Sequence, residues 1–197
     1  TPCRCIEQMP EEKEFLYNSR MLEGIRGKIL NNARVVIDEG DTIIKIWINP
    51  SMFPEIDHTL SIMSKIHPDL ILEHYQGEQK WIRMRKIDHE HSSTRSYEEN
   101  IKEYIKLREI RSIRVSSNSV LVKDDMSPNN IVWQKSDGKP YLLDWDRMDK
   151  CHIKEEKDYY RRWLCDKRWQ EIYGPYYELT DIFEKLWSMD LTQYCIS

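Results

Sequence analysis

The spacing of apolar residues changes character once along this chain, near residue 90, and that change limits the folds open to it. Residues 33–37 and 42–48 are rich in β-branched side chains and flank Asp38-Glu39-Gly40-Asp41, a turn sequence, so they predict a β-hairpin. Residues 70–75 and 81–87 predict two more strands around Gln76-Gly77-Glu78. Between the pairs, Ile56, Leu60, Met63 and Ile66 fall on one face of a helix that His67-Pro68 should end, because the residue before proline is pushed out of helical geometry. A short opening helix is expected after Pro10, with Phe15, Leu16, Met21 and Leu22 as its apolar positions.

Beyond residue 90 the period becomes helical. Ser96 followed by Glu99 is a capping-box signature, and Tyr97, Ile101, Tyr104, Ile105 and Arg108 share a face. A loop with two short strands, 131–133 and 141–144, interrupts this pattern around the turn Ser136-Asp137-Gly138. Helices return over 153–173, stopped by Gly174-Pro175, and over 180–189. A mostly β half followed by a mostly helical half is an α+β layout.

Composition narrows the class of function. With 40% hydrophobic and 32% charged residues in 197, the chain should fold as a globule. No apolar run approaches the roughly 20 residues of a membrane span, and there is no signal-peptide pattern. A net charge of −4 argues against a general nucleic-acid binder. The mixed basic and aromatic run 80–86 therefore reads as a strand with one solvated face. The five cysteines (Cys3, Cys5, Cys151, Cys165 and Cys195) are scattered and odd in number, which favours reduced thiols in an intracellular, cytoplasmic setting over a disulfide framework. No second close pair completes a metal site around Cys3 and Cys5.

The chemistry-bearing stretch is Lys123-Asp124-Asp125-Met126-Ser127-Pro128-Asn129-Asn130-Ile131-Val132, followed by Leu142-Leu143-Asp144-Trp145-Asp146. Carboxylates clustered in this way also suit a two-metal hydrolase, but that reading leaves the Asn, the Pro and a strand lysine upstream unused. An Asp, an Asn five residues on and a second Asp after the next strand resemble the catalytic loop and metal-binding motif of the protein-kinase-like superfamily. Pro128 and Asp144-Trp145-Asp146 make the aminoglycoside and choline phosphotransferase branch the most similar. The resemblance reaches, more weakly, from about residue 24 to residue 146.

The resemblance implies a bilobal protein-kinase-like fold, with an antiparallel-sheet N-lobe over 1–88 and a truncated helical C-lobe over 89–197. It implies ATP and Mg2+ as cofactors. Asp124–Asn129 and Asp125–Asn130 have the same spacing, and Pro128 and the strand after Asn130 favour the second register. Asp125 is then the base, and Asn130 and Asp144 are the oxygen ligands of a hard cation. Lys45, inside the apolar run 42–47, becomes the cation for the α- and β-phosphates. Its carboxylate partner is Glu55, with Asp57 as the other candidate. Gly24 and Gly27 are the candidate phosphate loop, and Met84, Lys86 and Asp88 flank the expected adenine site near 85–88.

Lys123 departs from the pattern, which has a largely structural histidine or aromatic residue there; the departure removes no phosphate chemistry, and a contact with an anion is an alternative role for it. The absence of an Ala-Pro-Glu element and the short stretch after Asp146 resemble minimal kinases of bacterial effectors, phages and viruses, so delivery into a host cell is part of the expected setting. On that ground the expected acceptor is a protein Ser/Thr hydroxyl. A small-molecule hydroxyl is the alternative from motif chemistry, and an inactive pseudokinase module is the alternative of another class.

Overall fold

A computed structural model describes residues 27–30, 34–47, 56–76, 80–110, 115–145 and 147–191, with side chains for all of these except 27–30, 75 and 76. The opening helix, Gly24, Glu55 and Asp146 lie outside the described residues. The chain divides between Ile87 and Asp88 into two compact units. The class is α+β, as the change in apolar period predicts.

In the first unit, strands β1 (Gly27–Leu30), β2 (Arg34–Asp38), β3 (Thr42–Trp47), β4 (Ile71–Gln76) and β5 (Lys80–Arg85) form one antiparallel sheet in the order β1-β2-β3-β5-β4. The β2–β3 turn carries the chain reversal expected of Asp38–Asp41. Gly40 sits at φ 99°, where a side chain would be strained, and its N–H donates to Asp38 Oδ1 at 2.9 Å. Alternation buries Val35, Ile37, Ile44 and Ile46 on one side.

The helix α1 (Ile56–Ile66) buries Ile56, Leu60, Ile62, Met63 and Ile66 and packs against β4. Each such side chain contributes roughly 1.5–3 kcal/mol relative to exposure. His67 caps the helix end by donating its N–H to Met63 O at 2.8 Å, just before Pro68.

The second unit holds two small sheets, β6-β8-β9 (His89–His91, Ile131–Gln134, Pro140–Leu142) and β7-β10 (Ser119–Lys123, Met148–His152). Its helices are α2 (Tyr97–Ile105), α3 (Glu156–Leu164), α4 (Lys167–Tyr173) and α5 (Tyr176–Ser188). The predicted helix over 153–173 is broken. A 3-10 turn precedes α3, and Asp166 accepts from Arg168 N at 2.9 Å to start α4 afresh.

The last helix starts four residues earlier than the pattern suggests, after Pro175. Strand β10 carries charged and exposed residues and is held by its pairing with β7 rather than by apolar alternation. No described helix is long and apolar enough to cross a membrane.

The core of this unit forms where α2 meets α4 and α5. Tyr97 packs edge-on against Trp169 at 5.8 Å and donates to Leu164 O at 2.6 Å. Buried Asn100 donates to Ser92 O at 2.9 Å and accepts from Trp133 Nε1 at 2.8 Å, which ties α2 to β8.

The Ser96–Glu99 capping box is complete, with both reciprocal hydrogen bonds formed at 3.1 and 2.9 Å. Ser96→Ala should lower the unfolding free energy by about 1 kcal/mol, read by urea titration. The backbone hydrogen bond from Ser96 holds Glu99 below its ordinary pKa of 4.5. Its contribution should be present above that value and fade as pH falls through the lower folded value.

Candidate active site

The loop that joins β7 to β8 has no regular ladder, so each of its carbonyls needs another donor. From Asp124 to Pro128 every one has a side-chain donor. Lys123 Nζ reaches Asp124 O and Asp125 O, both at 3.2 Å. Asn130 Nδ2 also donates to Asp125 O at 2.9 Å. Trp169 Nε1 takes Met126 O at 2.9 Å, Tyr104 OH takes Ser127 O at 2.9 Å, and Ser92 Oγ takes Pro128 O at 2.7 Å. Complete burial pushes the Tyr104 phenol well above its usual pKa, so it stays a neutral donor.

Lys123 is fully buried, and its Nζ makes a third bond, 3.1 Å to Asp144 O, with the Trp145 ring 5.4 Å away. It is therefore a staple between the two aspartate segments. Where the motif has a histidine or aromatic residue, Lys123 ties the loop together through main-chain oxygens. The partial negative charges of three carbonyls, and a π-face, surround this ammonium.

Asp125 and Asp144 sit at φ 54° and 59°, the only non-glycine residues at positive φ among those described. Such backbone costs about 1–3 kcal/mol per residue and persists where surrounding contacts enforce it, commonly at functional sites. Here the contacts are Lys123 on both carbonyls and Asn130 on one. Leu143 N donates to Asn130 O at 2.7 Å, a second stitch between the segments.

The two possible registers differ in placement. Asn130 is buried against Asp125, whereas exposed Asn129 meets His91 Nε2 at 3.1 Å through Oδ1. Asp124 accepts from Asp125 N at 2.9 Å through Oδ1, so it shapes the loop. Burial, with Asp149 adding to it, raises Asp124 above its ordinary pKa of 3.8.

Asp124→Asn keeps that acceptor and removes a poorly solvated charge. The variant should be at least as stable as the parent at pH 7. In the parent, stability should rise as pH falls from neutrality through the raised folded value, a rise that Asp124→Asn abolishes. Urea titrations across pH 4–7 check both.

Asn130 spends its amide nitrogen on Asp125, which leaves Oδ1 as its acceptor for a hard cation. With one carboxylate from Asp144, that donor set fits magnesium, which keeps several waters and substrate phosphates and takes few protein ligands. Among the described residues no group of three or more His, Cys, Asp or Glu side chains could hold a metal by itself.

Lys45 lies on β3 opposite Val36 and Ile82, half-buried between buried Ile44 and Ile46, with its Nζ 5.9 Å from the Trp47 ring. The strand is apolar, but this side chain is on its wetter face. Asp57, the other candidate carboxylate, pairs with Lys80 at 2.6 Å. Met84 pairs across Ile43, and Gly27 opens β1 opposite Ile37. Near the expected adenine site, Arg85 N donates to Leu70 O at 2.9 Å and Lys86 N to Asp41 O at 2.8 Å. Both donors are thus bonded within the first unit, to the turn before β4 and to the β2–β3 turn. Lys86 Nζ pairs with Asp38 at 2.7 Å, and Asp88 with Lys135 at 3.3 Å.

No family model and no curated protein matches this chain. Solved structures similar to it include an aminoglycoside-3'-phosphotransferase of type VIII, at 11% identity and TM-score 0.49, covering 85% of this chain and 88% of that one. A structure of WbdD is similar at 13% identity and TM-score 0.45, covering 93% of this chain and 48% of that one. The choline kinase LicA from Streptococcus pneumoniae is similar at 13% identity and TM-score 0.41, covering 89% and 91%.

Sequence reasoning missed Arg168. Its Nη1 donates to Asp125 Oδ1 at 2.8 Å from 43 residues further along the chain. No local motif announces it. The Asp166 cap two residues before it was the available signal, since a capped start places the first-turn side chains predictably.

Proposed function

We propose that this chain is an ATP-dependent phosphotransferase that moves the γ-phosphate to a hydroxyl group of a small molecule. The observation that carries the reading is the pair of left-handed aspartates, Asp125 and Asp144, pinned by one buried lysine next to Asn130. Phosphoryl transfer is mainly positioning and charge neutralisation, so a rigid loop with an aimed carboxylate is the protein's main contribution.

Asp125 orients the acceptor hydroxyl and takes its proton. Asn130 and Asp144 would hold magnesium, which neutralises phosphate charge when bound. Lys45 is the proposed contact for the α- and β-phosphates, with Glu55 as its carboxylate.

The small-molecule acceptor is favoured by motif chemistry: Pro128 and Asp144-Trp145-Asp146 resemble the aminoglycoside and choline branch. Trp145 is buried and donates to Leu142 O at 2.9 Å, so it belongs to the loop's framework. No structural observation favours a protein acceptor. The pseudokinase reading leaned on Lys123, and the three carbonyls it holds give that residue a role compatible with catalysis.

The test is purified protein with γ-labelled ATP and magnesium, supplied with aminoglycosides, choline-like amino alcohols or a cell lysate. Label in a low-mass phosphoester is the expected result. A discrete labelled protein band would restore the protein acceptor, and no transfer with any acceptor would favour the inactive module.

A further inference from the structure

We propose that Arg168 is a positioning residue for phosphate transfer, holding one oxygen of Asp125 so that the other is presented to the acceptor hydroxyl. The inference rests on the reading of Asp125 as the base.

Four contacts aim the guanidinium. Nη1 donates to Asp125 Oδ1 at 2.8 Å. Nε and Nη2 both donate to Asp166 Oδ2, at 3.2 and 2.8 Å. The group lies 5.0 Å from the centre of the Trp163 ring. The backbone beneath it is fixed as well: Asp166 Oδ1 caps α4, and Trp169 Nε1 holds Met126 O in the same loop as Asp125. Neighbouring Lys167 is 90% exposed and pairs with Glu171 at 3.8 Å, so the register of α4 selects Arg168 for this task.

The Arg168–Asp125 pair has about 40% of each side chain exposed, at 40% and 41%. Pairs this exposed contribute little to folding, because solvent screens them. Orientation is where such a contact matters. A free aspartate samples several rotamers, and a base needs one oxygen within hydrogen-bond reach of the proton it takes. With Oδ1 occupied by Arg168, Oδ2 is the proton acceptor. The hydroxyl proton passes to Oδ2 as the new O–P bond forms, and the bond to the leaving oxygen breaks with its electron pair departing on ADP. A planar fork suits the double contact better than an ammonium does, so lysine should replace arginine only in part.

The experiment measures ADP release from Mg-ATP with water as acceptor, in the parent, Arg168→Gln, Arg168→Lys, Asp125→Asn, the Arg168→Gln/Asp125→Asn double variant, and Lys167→Gln as a surface control. Arg168→Gln should lower kcat by about tenfold to a hundredfold at unchanged KM for ATP. Its melting temperature should stay within about 2 °C of the parent's. Arg168→Lys should recover part of the loss, Lys167→Gln should match the parent, and the double variant should be no slower than Asp125→Asn alone.

Arg168→Gln turnover within twofold of the parent would overturn the proposal. So would an equal fold-loss from Arg168→Gln in the parent and in the Asp125→Asn background. Where the parent releases no ADP with water, the same variants are compared with a hydroxyl acceptor, and a parent that releases no ADP with any acceptor contradicts the phosphotransfer reading itself before any variant is compared.

Discussion

Lys123→Met should lower the unfolding free energy by about 2–4 kcal/mol and release both left-handed aspartates from their geometry. Methionine fills similar volume but donates nothing. Asp125 O keeps Asn130 as a donor, but Asp124 O and Asp144 O lose the Lys123 bonds. An orphaned buried carbonyl costs about 1–3 kcal/mol; these two are half-buried, so about 1–2 kcal/mol for each gives the estimate. The opposite sign is a real alternative: a buried ammonium is costly to desolvate, and an apolar replacement of a buried charge is sometimes stabilising. The geometry decides between them, because three acceptors and a ring surround the ammonium at close range. Urea unfolding of parent and variant separates the two outcomes, and a more stable methionine variant would contradict the staple. Lys123→His offers one donor in place of three and should fall between them.

The second large effect is on rate. Asp125→Asn should reduce phosphate transfer by about 10²–10⁴-fold, the usual range for loss of a general base. Asp144→Asn should produce a loss of at least similar size by weakening the hold on magnesium. Asparagine is the informative substitution at both positions, because it tolerates left-handed backbone better than alanine does. It also leaves the Lys123 bonds in place, since those use the main-chain carbonyls. Melting temperatures should therefore stay near the parent's while turnover collapses. Full activity in Asp144→Asn would refute its assignment as a ligand.

Local signals were legible where local physics determines the outcome. The Asp38–Asp41 turn set the β2–β3 register, Pro68 ended α1, and Ser96 with Glu99 started α2. The two aspartate segments stood out by residue type and spacing, and the structure places Asp125 and Asp144 at left-handed backbone joined by Lys123.

Contacts between distant segments were not legible. Strand β10 looks unlike a strand and exists because β7 offers it a ladder. The break before α4 depends on Asp166 turning its side chain to the backbone. Lys123 departs from the motif, and its role is not legible because its partners are main-chain carbonyls, which no residue pattern encodes. Lys45 lies in an apolar strand, yet the alternation of β3 puts it on the half-buried face. Arg168 meets Asp125 only through the packing of α4 against the loop.

The central claim is that the segment from Lys123 to Asp144 conducts phosphate transfer from ATP. Phosphorus NMR on purified protein with Mg-ATP and hydroxyl acceptors follows the transferred group itself. The account predicts that the γ-phosphate signal declines while ADP and a new phosphoester signal grow, and that Asp125→Asn under the same conditions leaves the spectrum nearly unchanged. Equal conversion by parent and Asp125→Asn, or an unchanged ATP spectrum with every acceptor, would contradict it.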